Sequence, residues 1–112
     1  MVQKYCLALD LKDDPQLIEE YEKYHQHVWD EIKKSIRDAG VTNMEIYRTG
    51  NRLFMIMETN ENFRFERKAR MDNANPKVQE WEQLMWRFQQ PLPWAKEGEK
   101  WMLMEKIFDL SS

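Results

Sequence analysis

The chain has 112 residues, 42% of them hydrophobic and 33% charged, and a net charge of −3. That length suits one domain, residues 1–112, with a core of modest size. The mild acidity excludes the clustered basic face that nucleic acid demands, and no apolar run approaches the roughly 20 residues needed to span a bilayer.

The single cysteine, Cys6, cannot close an internal disulfide. The N-terminal apolar run is interrupted by Lys4 and Asp10 and does not read as a signal peptide. A cytoplasmic protein is therefore expected. Five Trp, five Phe, four Tyr and eight Met are a heavy load of large side chains, of the kind enriched in subunit interfaces and ligand pockets.

Val2 to Leu11 alternates, with Tyr5, Leu7, Leu9 and Leu11 on one side and Lys4, Cys6, Ala8 and Asp10 on the other. This is the pattern of a half-buried strand. Asp13-Asp14-Pro15 opens a helix, with an Asp as N-cap and Pro in the first turn. The spacing predicts that it continues to Ala39 and ends at Gly40. Two strands follow, Asn43 to Thr49 and Leu53 to Glu58, joined by a turn at Thr49-Gly50-Asn51. Asn60 to Asn75 is mostly polar and begins helically. Asn75-Pro76 starts a further helix to Gln89, with Val78, Trp81, Leu84, Met85 and Phe88 on one face and Trp86 turned toward some second contact. Pro91 to Gly98 is a loop bearing an exposed Trp94, and Met102 to Asp109 alternates as the last strand.

The order strand–helix–strand–strand–helix–strand is the α+β, ferredoxin-like βαββαβ plan: a four-stranded antiparallel sheet with its helices on one face. The strands carry large apolar residues on both sides, so the other face would stay uncovered in one chain. Pairing two sheets face to face is the economical remedy, and a homodimer is expected.

The candidate chemistry lies in the first helix. At about 100° per residue from Leu17, Tyr21 falls at about 40° and His25 at about 80°, inside an apolar arc of about 140°. His27 falls near about 280°, on the wet face. The two histidines thus point apart, which argues against a shared metal ion. The three glycines are isolated and form no phosphate-binding loop. His25 is either a core histidine satisfied by a carbonyl or hydroxyl, or a general acid/base in an enclosed place. Tyr21, one turn earlier, brings a second polar group to the same apolar region. Trp81 supplies an aromatic wall or ordinary core.

These residues also carry a resemblance. Glu20-Tyr21-x-x-x-His25-x-x-Val28-Trp29-x-Glu31, followed by Gly40-x-x-Asn43-x-x-Ile46-Tyr47 and the segment around Trp81, resembles the L-rhamnose mutarotase family over nearly the whole chain. The resemblance implies a dimeric α/β barrel that interconverts the α and β anomers of a monosaccharide without a cofactor. It implies that His25 is the proton donor and that Tyr21 and Trp81 bind the sugar. Met44 stands where the family has a second sugar-binding tyrosine, and Glu82 where it has the second residue of a Trp-Trp pair. The acid–base centre is thus kept while the sugar-binding wall is changed, so the expected substrate is a 6-deoxyhexose, L-rhamnose or L-fucose. A cofactor-independent monooxygenase and a non-catalytic sugar-binding module are the alternatives on the same fold plan.

Overall fold

The structure, a computed structural model, describes residues 2–111. Strand β1 (Gln3–Leu11) is followed by helices α1 (Pro15–Gln26) and α2 (Asp30–Asp38), then strands β2 (Val41–Thr49) and β3 (Arg52–Thr59). Helices α3 (Phe65–Ala74) and α4 (Pro76–Trp86) come next, and two short strands, β4 (Gln89–Gln90) and β5 (Met102–Leu103), close the chain.

The hairpin β2–β3 turns through Gly50, whose φ of 55° is a left-handed conformation suited to glycine. β3 then runs antiparallel along the whole of β1, from Gln3 opposite Thr59 to Asp10 opposite Arg52. The other edge of β1 is shared: β4 pairs with Asp10 and Leu11, and β5 with Leu7 and Ala8. Strand order is β2-β3-β1-β4, with β5 also on β1. The two short strands together occupy the place of the fourth strand in the βαββαβ plan, so the expected α+β architecture is the one observed.

The alternation read from β1 and β3 decides which face meets the helices. Leu7, Leu9, Leu11, Leu53, Met55 and Met57 are buried. Leu11 and Leu53 pack with Tyr21 of α1, Ile32 of α2, and Val78, Trp81 and Met85 of α4, while Leu7, Met55 and Met57 gather with Val41 of β2 and with Phe63. Full burial of such a side chain contributes about 1.5–3 kcal/mol before the ordering cost is counted, so these two clusters carry most of the fold. The expected Asp cap forms at Asp14, which accepts from the backbone N–H groups of Gln16 and Leu17, and Asn75 caps α4 in the same way, accepting from those of Lys77 and Val78. Among the described residues no helix is long and apolar enough to cross a membrane.

Three expectations need correction. The single helix Asp13–Ala39 is two helices, broken at His27–Trp29. His27 leaves the helix with φ −140° and its N–H returns to the Tyr24 carbonyl at 3.2 Å, while Trp29, at ψ 140°, opens α2. No Gly or Pro marks the break. It falls where three weak helix formers, His27, Val28 and Trp29, stand in succession, and Asp30 and Glu31 then suit the positive N-terminus of a new helix. The last strand is only Met102–Leu103 rather than Met102–Asp109; beyond the bond from the Met104 N–H to the Cys6 carbonyl at 2.7 Å, the chain leaves the sheet. The helix read to Gln89 stops at Trp86, and Gln89 joins β4 instead. Trp86 finds its second contact within the chain, under the Lys100 ammonium at 4.7 Å from the ring centroid.

Candidate active site

Between the helical layer and the sheet lies a cavity of about 380 Å³, within the range of small-molecule sites. Tyr21, His25, Met44, Trp81 and Glu82, the five residues singled out from the sequence, all line it. His27 does not; it is exposed. His25 also borders a second, shallower space of about 410 Å³ between α2 and β2, which includes Lys33, Arg37, Thr42 and Asn43. The two share His25, Val28, Ile36, Met44 and Ile46, so the imidazole stands at their junction.

The geometry around His25 follows from its place in the last turn of α1. A helical carbonyl has two acceptor lone pairs, and the Tyr21 carbonyl takes a bond from His25 Nδ1 at 2.9 Å. A carbonyl can only accept, so Nδ1 carries the hydrogen and the neutral ring has Nε2 as its free acceptor. The ring is stacked at 4.3 Å on Tyr21, with an interplanar tilt of 33°, and meets Trp81 edge-on at 5.8 Å. Trp81 is in turn held at 5.0 Å by Trp29, the residue that opens α2. The helix break therefore supplies the support behind the aromatic wall.

Burial pushes the imidazole below its usual 6.5, opposed by the bond to the Tyr21 carbonyl. Near neutral pH the ring is then uncharged and its Nε2 can accept a proton. Burial likewise pushes the Tyr21 phenol up to about 12, partly offset by the bond from Gln89. The Gln89 side-chain amide donates to the Tyr21 hydroxyl at 3.3 Å, which leaves the phenolic hydrogen to be donated elsewhere.

Several lining residues were not singled out in the sequence. Gln89 comes from the two-residue β4, too short for alternation to show. Lys100 and Trp101 come from the loop before β5, where no periodicity indicates a direction. Lys68, one turn before Asp72 on α3, closes on that carboxylate at 2.6 Å; the i, i+4 spacing was the available signal. Among the described residues no cluster of three or more His, Cys, Asp or Glu could hold a metal ion.

A half-buried imidazole and a buried phenol thus line one wall of a void of this size, set on an antiparallel α+β fold. A family model for L-rhamnose mutarotase matches residues 4–110. An L-fucose mutarotase of Xanthomonas campestris is 45% identical over 112 residues, covering 98% of this chain and 90% of that protein. An L-rhamnose mutarotase of Phocaeicola vulgatus is 38% identical over 69 residues, covering 60% of this chain and 62% of that protein. The crystal structure of an L-rhamnose mutarotase from Formosa agariphila superposes with a TM-score of 0.71 at 19% identity, covering 96% of this chain and 98% of that one. A polyketide cyclase from Streptomyces glaucescens, tetracenomycin F2 cyclase, shares the fold with a TM-score of 0.66 at 15% identity, over 98% of both chains.

The chain belongs to the L-rhamnose mutarotase family. That makes it a carbohydrate isomerase of the mutarotase class, one that interconverts sugar anomers.

The pH behaviour of His25 follows from its burial. Its folded pKa lies below the unfolded 6.5, so between the two the unfolded chain binds more protons. The stability that goes with burying a neutral ring is full above 6.5 and is lost as pH falls through that window. An NMR titration of the His25 ring is expected to show a midpoint below 6.5; a midpoint above it would contradict the burial argument.

Proposed function

We propose that this chain, acting as a single domain of residues 1–112, is an aldose mutarotase for an unphosphorylated 6-deoxyhexose. L-Fucose is favoured over L-rhamnose by the 45% identity to the Xanthomonas campestris protein. His25 is the general acid/base, and Tyr21, Trp81, Met44 and Glu82 are the sugar contacts. The observation that carries this reading is the bond from Nδ1 to the Tyr21 carbonyl, which leaves Nε2 as the working nitrogen.

Mutarotation needs the anomeric hydroxyl to lose a proton and the ring oxygen to gain one. Both oxygens are bonded to C1, so one nitrogen can serve both. Nε2 takes the proton from O1; as the C1–O1 double bond forms, the C1–O5 bond breaks and O5 receives that proton from the imidazolium. The aldehyde turns about C1–C2, and the same steps reversed close the ring on its other face. Nδ1–H stays on the carbonyl throughout, which keeps the ring oriented and stabilises its cationic form. The Tyr21 hydroxyl donates to a sugar oxygen, fixed in place by Gln89. Trp81 offers a face to the apolar C–H side of the sugar, and Met44 offers its flexible thioether in place of a second phenol.

General acid–base catalysis of this kind supplies about 10²–10⁴-fold. Saturation-transfer NMR is expected to show faster anomer exchange of L-fucose, and of L-rhamnose to a smaller extent, when the protein is added. His25→Ala should return exchange to the buffer rate; exchange undiminished in that variant would remove His25 from the mechanism.

A homodimer completes the reading, in a cytoplasmic setting that suits the free Cys6. The sheet face away from the helices carries Cys6, Ala8, Phe54 and Ile56, partly open, and Tyr47 is exposed. The tail beyond β5 holds Ile107 at 93%, Phe108 at 75% and Leu110 at 88% exposure. So much apolar surface on one chain marks an interaction surface, and a second copy supplies the matching one. Sedimentation equilibrium should give twice the 13.8 kDa chain mass for the wild type and a single-chain mass for Ile107→Asp/Phe108→Asp. A monomeric wild type would contradict the dimer.

A further inference from the structure

Away from His25 the cavity wall is charged. Glu82 follows Trp81 on α4, and Lys100 precedes Trp101 in the loop before β5; all four line the cavity. Lys100 is half-buried, with its ammonium over the Trp86 ring at 4.7 Å, a cation–π contact that holds the stem in place. Among the described residues neither Glu82 nor Lys100 makes a side-chain hydrogen bond or an ion pair. They differ in this from Lys68 and Asp72 on the same cavity, which satisfy each other at 2.6 Å.

A partly desolvated ammonium with three donors, and a carboxylate that only accepts, leave hydrogen-bonding capacity open toward one shared space. Both line that cavity, and Glu82 is a charge that Lys100 feels: burial lowers the Lys100 pKa and the Glu82 charge raises it. The chemistry of the occupant follows from the signs. A phosphate or carboxylate would suit Lys100 and be repelled by Glu82, and an ammonium group the reverse. A neutral vicinal diol suits both, because each hydroxyl can donate to Glu82 and accept from Lys100.

We propose that Glu82 and Lys100 form a diol clamp that reads the hydroxyl configuration of an uncharged sugar, and that they are the specificity-determining residues of this site. The inference rests on the mutarotase reading. An aromatic wall reads the C–H face of a sugar and distinguishes hydroxyl configurations weakly. A fixed donor and acceptor penalise a misplaced hydroxyl, because both charged groups are then left unsatisfied. The loop that carries Lys100 thereby becomes part of the sugar site, although it lies far in sequence from the acid–base residues on α1.

The test is the exchange kinetics of the full chain and of Lys100→Met and Glu82→Gln with L-fucose and L-rhamnose, folding being checked by circular dichroism. Glu82→Gln is nearly isosteric and guards against a misfolded Lys100 variant. Loss of a hydrogen bond to a charged group is expected to raise KM for the preferred sugar about 10-fold or more. The loss should fall mainly in KM, and the ratio of kcat/KM between the two sugars should narrow. KM and the sugar ratio unchanged in both variants, or a loss confined to kcat, would overturn the clamp while leaving the mutarotase reading standing. If the wild type accelerates neither sugar, the mutarotase reading itself fails and the clamp with it.

Discussion

One hydrogen bond organises the site: His25 Nδ1–H to the Tyr21 carbonyl at 2.9 Å. It can form because the two residues are one helical turn apart and because a carbonyl bonded within a helix still has a lone pair to offer. Its effect is chemical as well as geometric. It assigns the tautomer, so the nitrogen left for substrate is an acceptor in the resting state. A histidine held this way begins as a base and becomes an acid only after taking a proton. In the proposed mechanism the proton donation implied for this position is the second half of a shuttle whose first half is proton removal.

The rest of the fold serves to keep that imidazole dry but reachable. The break between α1 and α2 lets Trp29 stand behind Trp81, which closes the ring's outer edge at 5.8 Å. Tyr21 covers its face, and Gln89 from the sheet edge holds the Tyr21 hydroxyl. Helices α1 and α4, distant in the chain, therefore meet at one ring, with Trp29 and Gln89 holding the residues that touch it. The same burial accounts for the direction of both shifts, the imidazole down and the phenol up.

How much of this was legible in the sequence depended on the range of the signal. Helical phase alone separates His25, at the cavity, from His27, in solvent, because that distinction is set within one turn. Asp14, Asn75 and Gly50 declare their caps and turn through local chemistry. The break at His27–Trp29 is hidden because no residue there forbids a helix; three mediocre helix formers tip the balance only with tertiary packing. Lys100 and Gln89 are hidden for another reason. Their direction is set by where β4 and β5 dock on β1, a long-range pairing with no local trace. The tail from Met104 on misled in an instructive way. Its residues run as pairs, Glu105-Lys106 and then Ile107-Phe108, rather than in strict alternation, and both Ile107 and Phe108 are exposed.

The central claim, that His25 presents a free Nε2 to the sugar, is tested most directly by long-range ¹⁵N–¹H correlation NMR of the imidazole above its pKa. The account predicts the neutral Nδ1–H tautomer, with the Nε2 resonance moving when L-fucose is added. A ring found as the Nε2–H tautomer, or one indifferent to the sugar, would contradict it.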